Sequence, residues 1–116
     1  MINLKVDEGY AFDFISILEV KNNLIKDDAT LKNLNECSKH IKEQLGNKFN
    51  EIIISREYKE LLSINEKSFK TIDLLRSGEE IKAKDIDDLN TSRFNAKKNI
   101  QKKFFKNNLT ERKSIQ

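Results

Sequence analysis

Ile2, Leu4 and Val6 alternate with polar residues at the start of the chain, the period-two pattern of a short strand. From there the apolar positions change to a spacing of three and four. Ala11, Phe14, Ile15, Leu18 and Ile25 form one stripe, widened by Ile17, Val20 and Leu24, which predicts a helix over 9–25 with Asp7 as its N-cap. So broad a face suits a helix at the centre of a core or between two partners. After a charged turn over 26–28, Asp28 or Thr30 caps a second helix. Its Leu31, Leu34, Cys37 or Ser38, Ile41 and Leu45 recur at heptad-like spacing, the seam of coiled-coil or helix-on-helix packing. Gly46 and Asn47 both tolerate the left-handed conformation and stop it.

A third, long helix starts near Phe49, or at Arg56 with Ser55 as cap, and ends at Gly78. Tyr58, Leu61, Leu62, Phe69, Ile72 and Leu75 carry its apolar face, while the β-branched run Ile52–Ile54 also suits a short extended piece. A fourth helix covers 85–106 through Ile86, Leu89, Phe94, Ile100, Phe104 and Phe105, diluted by lysines; a polar tail follows from Asn107. The expected fold class is mainly α: an antiparallel bundle, or hairpins, of three to four helices. The short N-terminal strand is expected to pair with the C-terminal tail. Neither a repeat nor a linker divides residues 1–116, so one helical domain is expected.

Composition refines this picture. Charged residues make up 35% and hydrophobic residues 37% of the 116, close to the balance that favours disorder. The regular apolar spacing argues for folded helices, and long ones are permitted because proline is absent and glycine occurs three times. Cys37 is the single cysteine, which excludes an internal disulfide and suits a reducing compartment. The longest aliphatic run, Ile52–Ile54, falls far short of the ~20 residues of a membrane span, and Asp7 and Glu8 come early for a signal peptide. A cytoplasmic protein without membrane contact is expected. Heavy use of Lys, Asn and Ile suits an AT-rich bacterial or phage coding sequence, in the latter case acting in the host cytoplasm.

Charge is unevenly placed. Residues 1–90 hold 14 Lys and Arg against 18 Asp and Glu, a balance of −4, while residues 91–116 hold 8 against one, Glu111, a balance of +7. A basic end on an acidic body suits nucleic acid, an acidic protein surface, or docking on its own body or another copy.

The segment from Val6 to Lys21 resembles the opening of a family of small bacterial and phage-encoded proteins of unknown function, which reads Ser-x-Gly-Glu-Leu-x-Asp-Lys-Ile-Thr-Ile-Leu-Glu-Ile-Lys. Gly9, Asp13, Ile15, Ile17, Leu18, Glu19 and Lys21 coincide with it, and Ser16 stands for the threonine. A second block is similar at Leu61, Ile64, Asn65, Phe69, Asp73, Leu75, Arg76 and Glu79, and a looser third at Asn95, Lys98 and Lys102. The closing Glu111-Arg-Lys-Ser114 is similar to the family's Glu-Glu-Lys-Ser ending. The resemblance implies a helical domain and no assigned activity. Tyr10 replaces a glutamate of the pattern, Phe14 a lysine, Phe69 a tryptophan and Ala96 an aspartate. The two new aromatics favour packing or partner binding over any chemistry of the replaced charges.

Candidate chemistry is sparse. Asp73, Arg76 and Glu79, three residues apart, share one helix face, and if partly buried they could receive Asp13 or Lys21 from the first helix. Such a cluster could hold a polar ligand through bidentate bonds; the commoner outcome is an ion-pair network that fixes helix register. Cys37 and His40, near Glu36 and Glu43, are too few for zinc, so no metal and no cofactor are expected. With one histidine, no nucleophile motif and no phosphate loop, nothing identifies an enzyme. Arg93, Lys97, Lys98, Lys102, Lys103 and Lys106, with Arg112 and Lys113, form the strongest charged feature, and Lys98, Lys102 and Lys106 would align on one helix face. They could contact phosphates, or form a solvated basic face. The expectation is a non-catalytic interaction protein, homo-oligomeric and binding a protein partner. Nucleic-acid binding through the basic helix is the alternative, and a small-ligand or enzymatic site around the Asp/Arg/Glu cluster ranks third.

Overall fold

The computed structural model describes residues 1–106. It contains five helices in the order α1 (Glu8–Ile25), α2 (Asp28–Leu45), α3 (Asn47–Ile53), α4 (Arg56–Arg76) and α5 (Ala83–Phe104). The chain is all-helical among the described residues, with one helix more than the periodicity suggests. The extra helix is α3. Ile52 and Ile53 are helical because burial of Phe49 and Ile52 outweighs the extended preference of the β-branched run. Residues 2–6 form no strand, and Ile2, Leu4 and Val6 stay exposed. The tail that was to pair with them lies outside the described residues.

The boundaries follow local chemistry. Asp27 caps α2: its carboxylate accepts the Ala29 N–H at 3.4 Å and the Thr30 hydroxyl at 3.1 Å, a role the sequence pattern assigns to Asp28 or Thr30. Ser55 Oγ accepts the Tyr58 N–H at 3.1 Å and starts α4. Gly46, at φ 63°, turns the chain from α2 into α3. Gly78, at φ 94°, closes α4, with the Glu79 N–H reaching the Leu74 carbonyl at 3.0 Å. At the far end, the ammonium of Lys48 donates to the Phe104 carbonyl at 2.8 Å, a cation on the negative end of α5.

The core is built from Phe12 and Ile15 of α1, Phe49 and Ile52 of α3, Tyr58 and Leu61 of α4, and Ala96 and Ile100 of α5. The Phe12 ring stacks on Phe49 at 5.8 Å and meets Tyr58 edge-on at 6.1 Å. Leu34, Cys37, Ile41 and Leu45 pack against this cluster, so the heptad-like seam of α2 serves the chain's own fold. Phe104 and Phe105 pack there too. On α1 the buried positions are Gly9, Phe12, Asp13, Ile15, Ser16 and Val20, while Phe14 points outward. The buried face therefore sits beside the stripe that apolar spacing alone marks.

α4 and α5 form an antiparallel hairpin, tied at its base by Lys103 and Glu57 at 3.0 Å. α1 lies across it. Gly9 meets Lys97 and Gln101 of α5, Asp13 meets Arg93 of α5 and Asn65 of α4, and Glu19 meets Tyr58 of α4.

Candidate interaction surface and the buried polar cluster

Three helices converge on Asp13, which is 3% exposed. Arg93 binds it with both prongs of its guanidinium, Nε at 3.1 and 3.2 Å from the two carboxylate oxygens and Nη2 at 2.8 Å from Oδ2. Asn65 Nδ2 donates to Asp13 Oδ1 at 3.0 Å and to Ser16 Oγ at 2.6 Å, and the Ser16 hydroxyl donates to the Asp13 carbonyl at 2.7 Å. The Asp13 carboxylate, chiefly by hydrogen bonding, raises the pKa of the Arg93 guanidinium, against the opposing effect of partial burial. Among the described residues, no fully buried side-chain polar atom lacks a hydrogen-bond partner. A buried set of this kind fixes the register of α1 on the hairpin.

A second polar contact secures the start of α1. Gln101 Oε1 accepts the Gly9 N–H at 2.8 Å while its Nε2 donates to Glu8 at 2.9 Å, so a side chain of α5 satisfies a first-turn donor of α1. A Cβ at position 9 would stand 2.5 Å from the Lys97 carbonyl oxygen, so the helices meet this closely only because residue 9 is glycine. On the other side of α1, the Tyr58 hydroxyl donates to Glu19 at 3.0 Å, and burial together with that carboxylate pushes the phenol pKa upward.

The residues expected to form an Asp/Arg/Glu site do not come together. Asp73, Arg76 and Glu79 are exposed at the far end of the hairpin, and Lys21 is exposed on α1. Asp13 takes Arg93, and the condition for a ligand cluster, partial burial of the 73–79 ladder, is not met. Asn65 and Arg93 are the members that sequence reasoning missed for this role. Asn65 was visible only as a position in the second resembling block, and Arg93 sat among the basic residues.

The basic face is also divided. Arg93 holds Asp13 and Lys103 holds Glu57. Lys97 lies 4.7 Å over the Tyr10 ring and Lys98 5.8 Å over the Phe94 ring. Lys102 and Lys106 are exposed, but α5 ends at Phe104 and Phe105 is extended, so Lys106 does not continue the helical row of Lys98 and Lys102. Arg112 and Lys113 lie outside the described residues. Cys37 packs on the core and His40 is exposed; among the described residues no group of three or more His, Cys, Asp or Glu is placed to hold a metal ion. No helix among the described residues is long and apolar enough to cross a membrane.

What the surface does offer is apolar. Tyr10 and Phe14, one turn apart on α1, are 50% and 52% exposed. The Lys97 ammonium over the Tyr10 ring adds a cation where α1 meets α5. Further out, Ile72, Leu74 and Leu75 are exposed near the end of α4. Beside the N-terminal segment, a recess of about 470 Å³ is lined by Leu4, Val6, Phe12, His40, Ile41 and Leu45 among others. Comparison with family models, with curated proteins and with solved structures finds no match.

Proposed function

We propose that this chain is a non-catalytic helical interaction protein that self-associates and binds a protein partner. One observation carries the reading. Among the described residues, thirteen large hydrophobic side chains are exposed, against nine hydrophobic residues buried in the core. Scattered exposed apolar residues are ordinary, but contiguous ones mark contact surfaces. Nine of the thirteen fall at residues 1–6, at Tyr10 and Phe14, and at Ile72, Leu74 and Leu75. Aromatic and arginine side chains such as Tyr10, Phe14 and Arg93 are the types that anchor protein interfaces. With Cys37 a lone thiol, the proposed setting is the cytoplasm.

Nucleic-acid binding through α5 is the second reading, favoured by the exposure of Lys102 and Lys106. It ranks lower because Arg93 and Lys103 already hold carboxylates. The deciding experiment is light scattering of the full chain across salt concentrations, with and without added nucleic acid. A salt-tolerant oligomer that ignores nucleic acid is the expected result. A monomer that gains mass with nucleic acid at low salt, and loses it at high salt or when Lys98, Lys102 and Lys103 become Glu, would replace this reading with the second.

A further inference from the structure

The hairpin of α4 and α5 extends beyond the helix that covers it. Every core residue on α4 lies at or before Ile64, and every one on α5 at or after Ala96. Asn65 and Arg93 mark the level where α1 crosses. The face of α4 that meets α1 carries Tyr58, Leu61 and Asn65, and helical periodicity continues it into Phe69 and Ile72. The matching face of α5 carries Gln101, Ile100 and Arg93, and continues into Leu89 and Ile86. Beyond α1 the same side of the hairpin is therefore an apolar ledge. Phe69, Ile86 and Leu89 are half-buried on it and Ile72 is 49% exposed.

Charge says what fits there. The end of the hairpin, residues 73–88, carries Asp73, Glu79, Glu80, Asp85, Asp87 and Asp88 against Arg76, Lys82 and Lys84. The inner border of the ledge, where α1 meets α5, carries Lys97, set over Tyr10 of α1, and next to it Lys98, while the charge of Arg93 is matched by Asp13. From Asn65 to Arg76 the ledge is about 17 Å long at 1.5 Å per residue. Two copies laid face to face and antiparallel thus bring the acidic end of each hairpin to the cationic border of the other. A parallel pair would set acid against acid and α1 against α1.

We propose that the ledge formed by Phe69, Ile72, Ile86 and Leu89 is where a second copy of the chain docks, antiparallel about a twofold axis, with each acidic hairpin end on the other copy's Lys97–Lys98 border. This rests on the self-association proposed above and assigns it a surface. The arrangement is isologous and closes as a dimer, with four helices packed at its centre.

The test is sedimentation of the full chain at one concentration for the wild type, Ile72→Lys, Glu79→Lys/Glu80→Lys, and Lys97→Glu/Lys98→Glu, with helicity checked by circular dichroism. The wild type sediments as a dimer. Ile72→Lys halves the particle mass without loss of helicity, since Ile72 makes no core contact. Each charge-reversed double variant dissociates at least tenfold more readily alone, and mixing the two restores a dimer. A wild-type oligomer whose mass survives Ile72→Lys overturns the ledge and leaves self-association standing. A mixture that fails to re-associate overturns the antiparallel pairing. A monomeric wild type, with the ledge left to some other protein, overturns both.

Discussion

Arg93 and Asp13, eighty residues apart, form a two-pronged ion pair with Nη2 and Oδ2 2.8 Å apart, and this pair locks α5 onto α1. Asn65 of α4 joins the same carboxylate. One buried side chain therefore sets the relative position of three helices, and the projecting hairpin is carried on that joint. Removing the carboxylate strands the Arg93 guanidinium, while Asn65 keeps its bond to Ser16 Oγ. Asp13→Ala should lower stability by about 3 kcal/mol, the low end of the ~3–5 kcal/mol for broken buried pairs because the Arg93 side chain is partly exposed. Arg93→Ala should lower it too. A urea titration of both single variants and the double measures the coupling, and independent, additive losses would contradict a shared joint.

Gly9→Ala gives a second, steric test of the same joint. Alanine is the better helix former by ~1 kcal/mol, yet here its Cβ would press on the Lys97 carbonyl oxygen, a backbone atom that cannot swing aside. The close approach should dominate and cost roughly 1–3 kcal/mol. Equal or greater stability in denaturant would mean that α1 and α5 are further apart than described.

Tyr58 supplies a pH dependence. Its phenol pKa is raised in the folded chain by burial and by Glu19, above the ordinary 10.0 that it regains on unfolding. The unfolded state thus loses its proton first as pH rises. The stabilisation is fully present below pH 10 and declines above it, because deprotonation favours the unfolded chain. The melting temperature should fall above pH 10 in the wild type and fall less in Tyr58→Phe. Parallel alkaline profiles for the two proteins would rule out this role for the phenol.

The two apolar surfaces should respond differently to charge. Leu34 packs against the core, so Leu34→Asp should unfold the chain, at a cost of about 2–4 kcal/mol. Ile72→Lys should leave the melting curve at low concentration within about 0.5 kcal/mol of the wild type. A folded Leu34→Asp monomer would instead make the α2 seam a contact between copies.

Much of this architecture is legible in the sequence. Apolar spacing marks α1, α2, α4 and α5; Gly78 marks the end of α4, and of the two starts open to it, Phe49 and Arg56 capped by Ser55, the second is the one observed. α3 is hidden because seven residues are too few for a helical period to stand out from the strand preference of isoleucine. The buried face of α1 is misplaced for a different reason. The stripe selects Phe14 and passes over Phe12, which is fully buried, and it omits Gly9, Asp13 and Ser16, whose polar groups find partners on α4 and α5. Arg93 reads as one more cation in a basic segment, because nothing local reveals a carboxylate eighty positions earlier. The 73–79 ladder has the right spacing for an ion-pair cluster, but it lies beyond the reach of α1. Spacing reports which residues share a helix face, whereas the joint and the ledge depend on where another helix crosses that face.

The central claim is that a second copy covers surface that one copy leaves exposed. Its most direct test is the melting temperature of the full chain over a roughly hundredfold range of concentration, since association stabilises the folded state by mass action. A rise of roughly 5 °C from the lowest to the highest concentration is the expected result, and it should vanish in Ile72→Lys. A wild-type melting temperature that does not move with concentration would contradict the account.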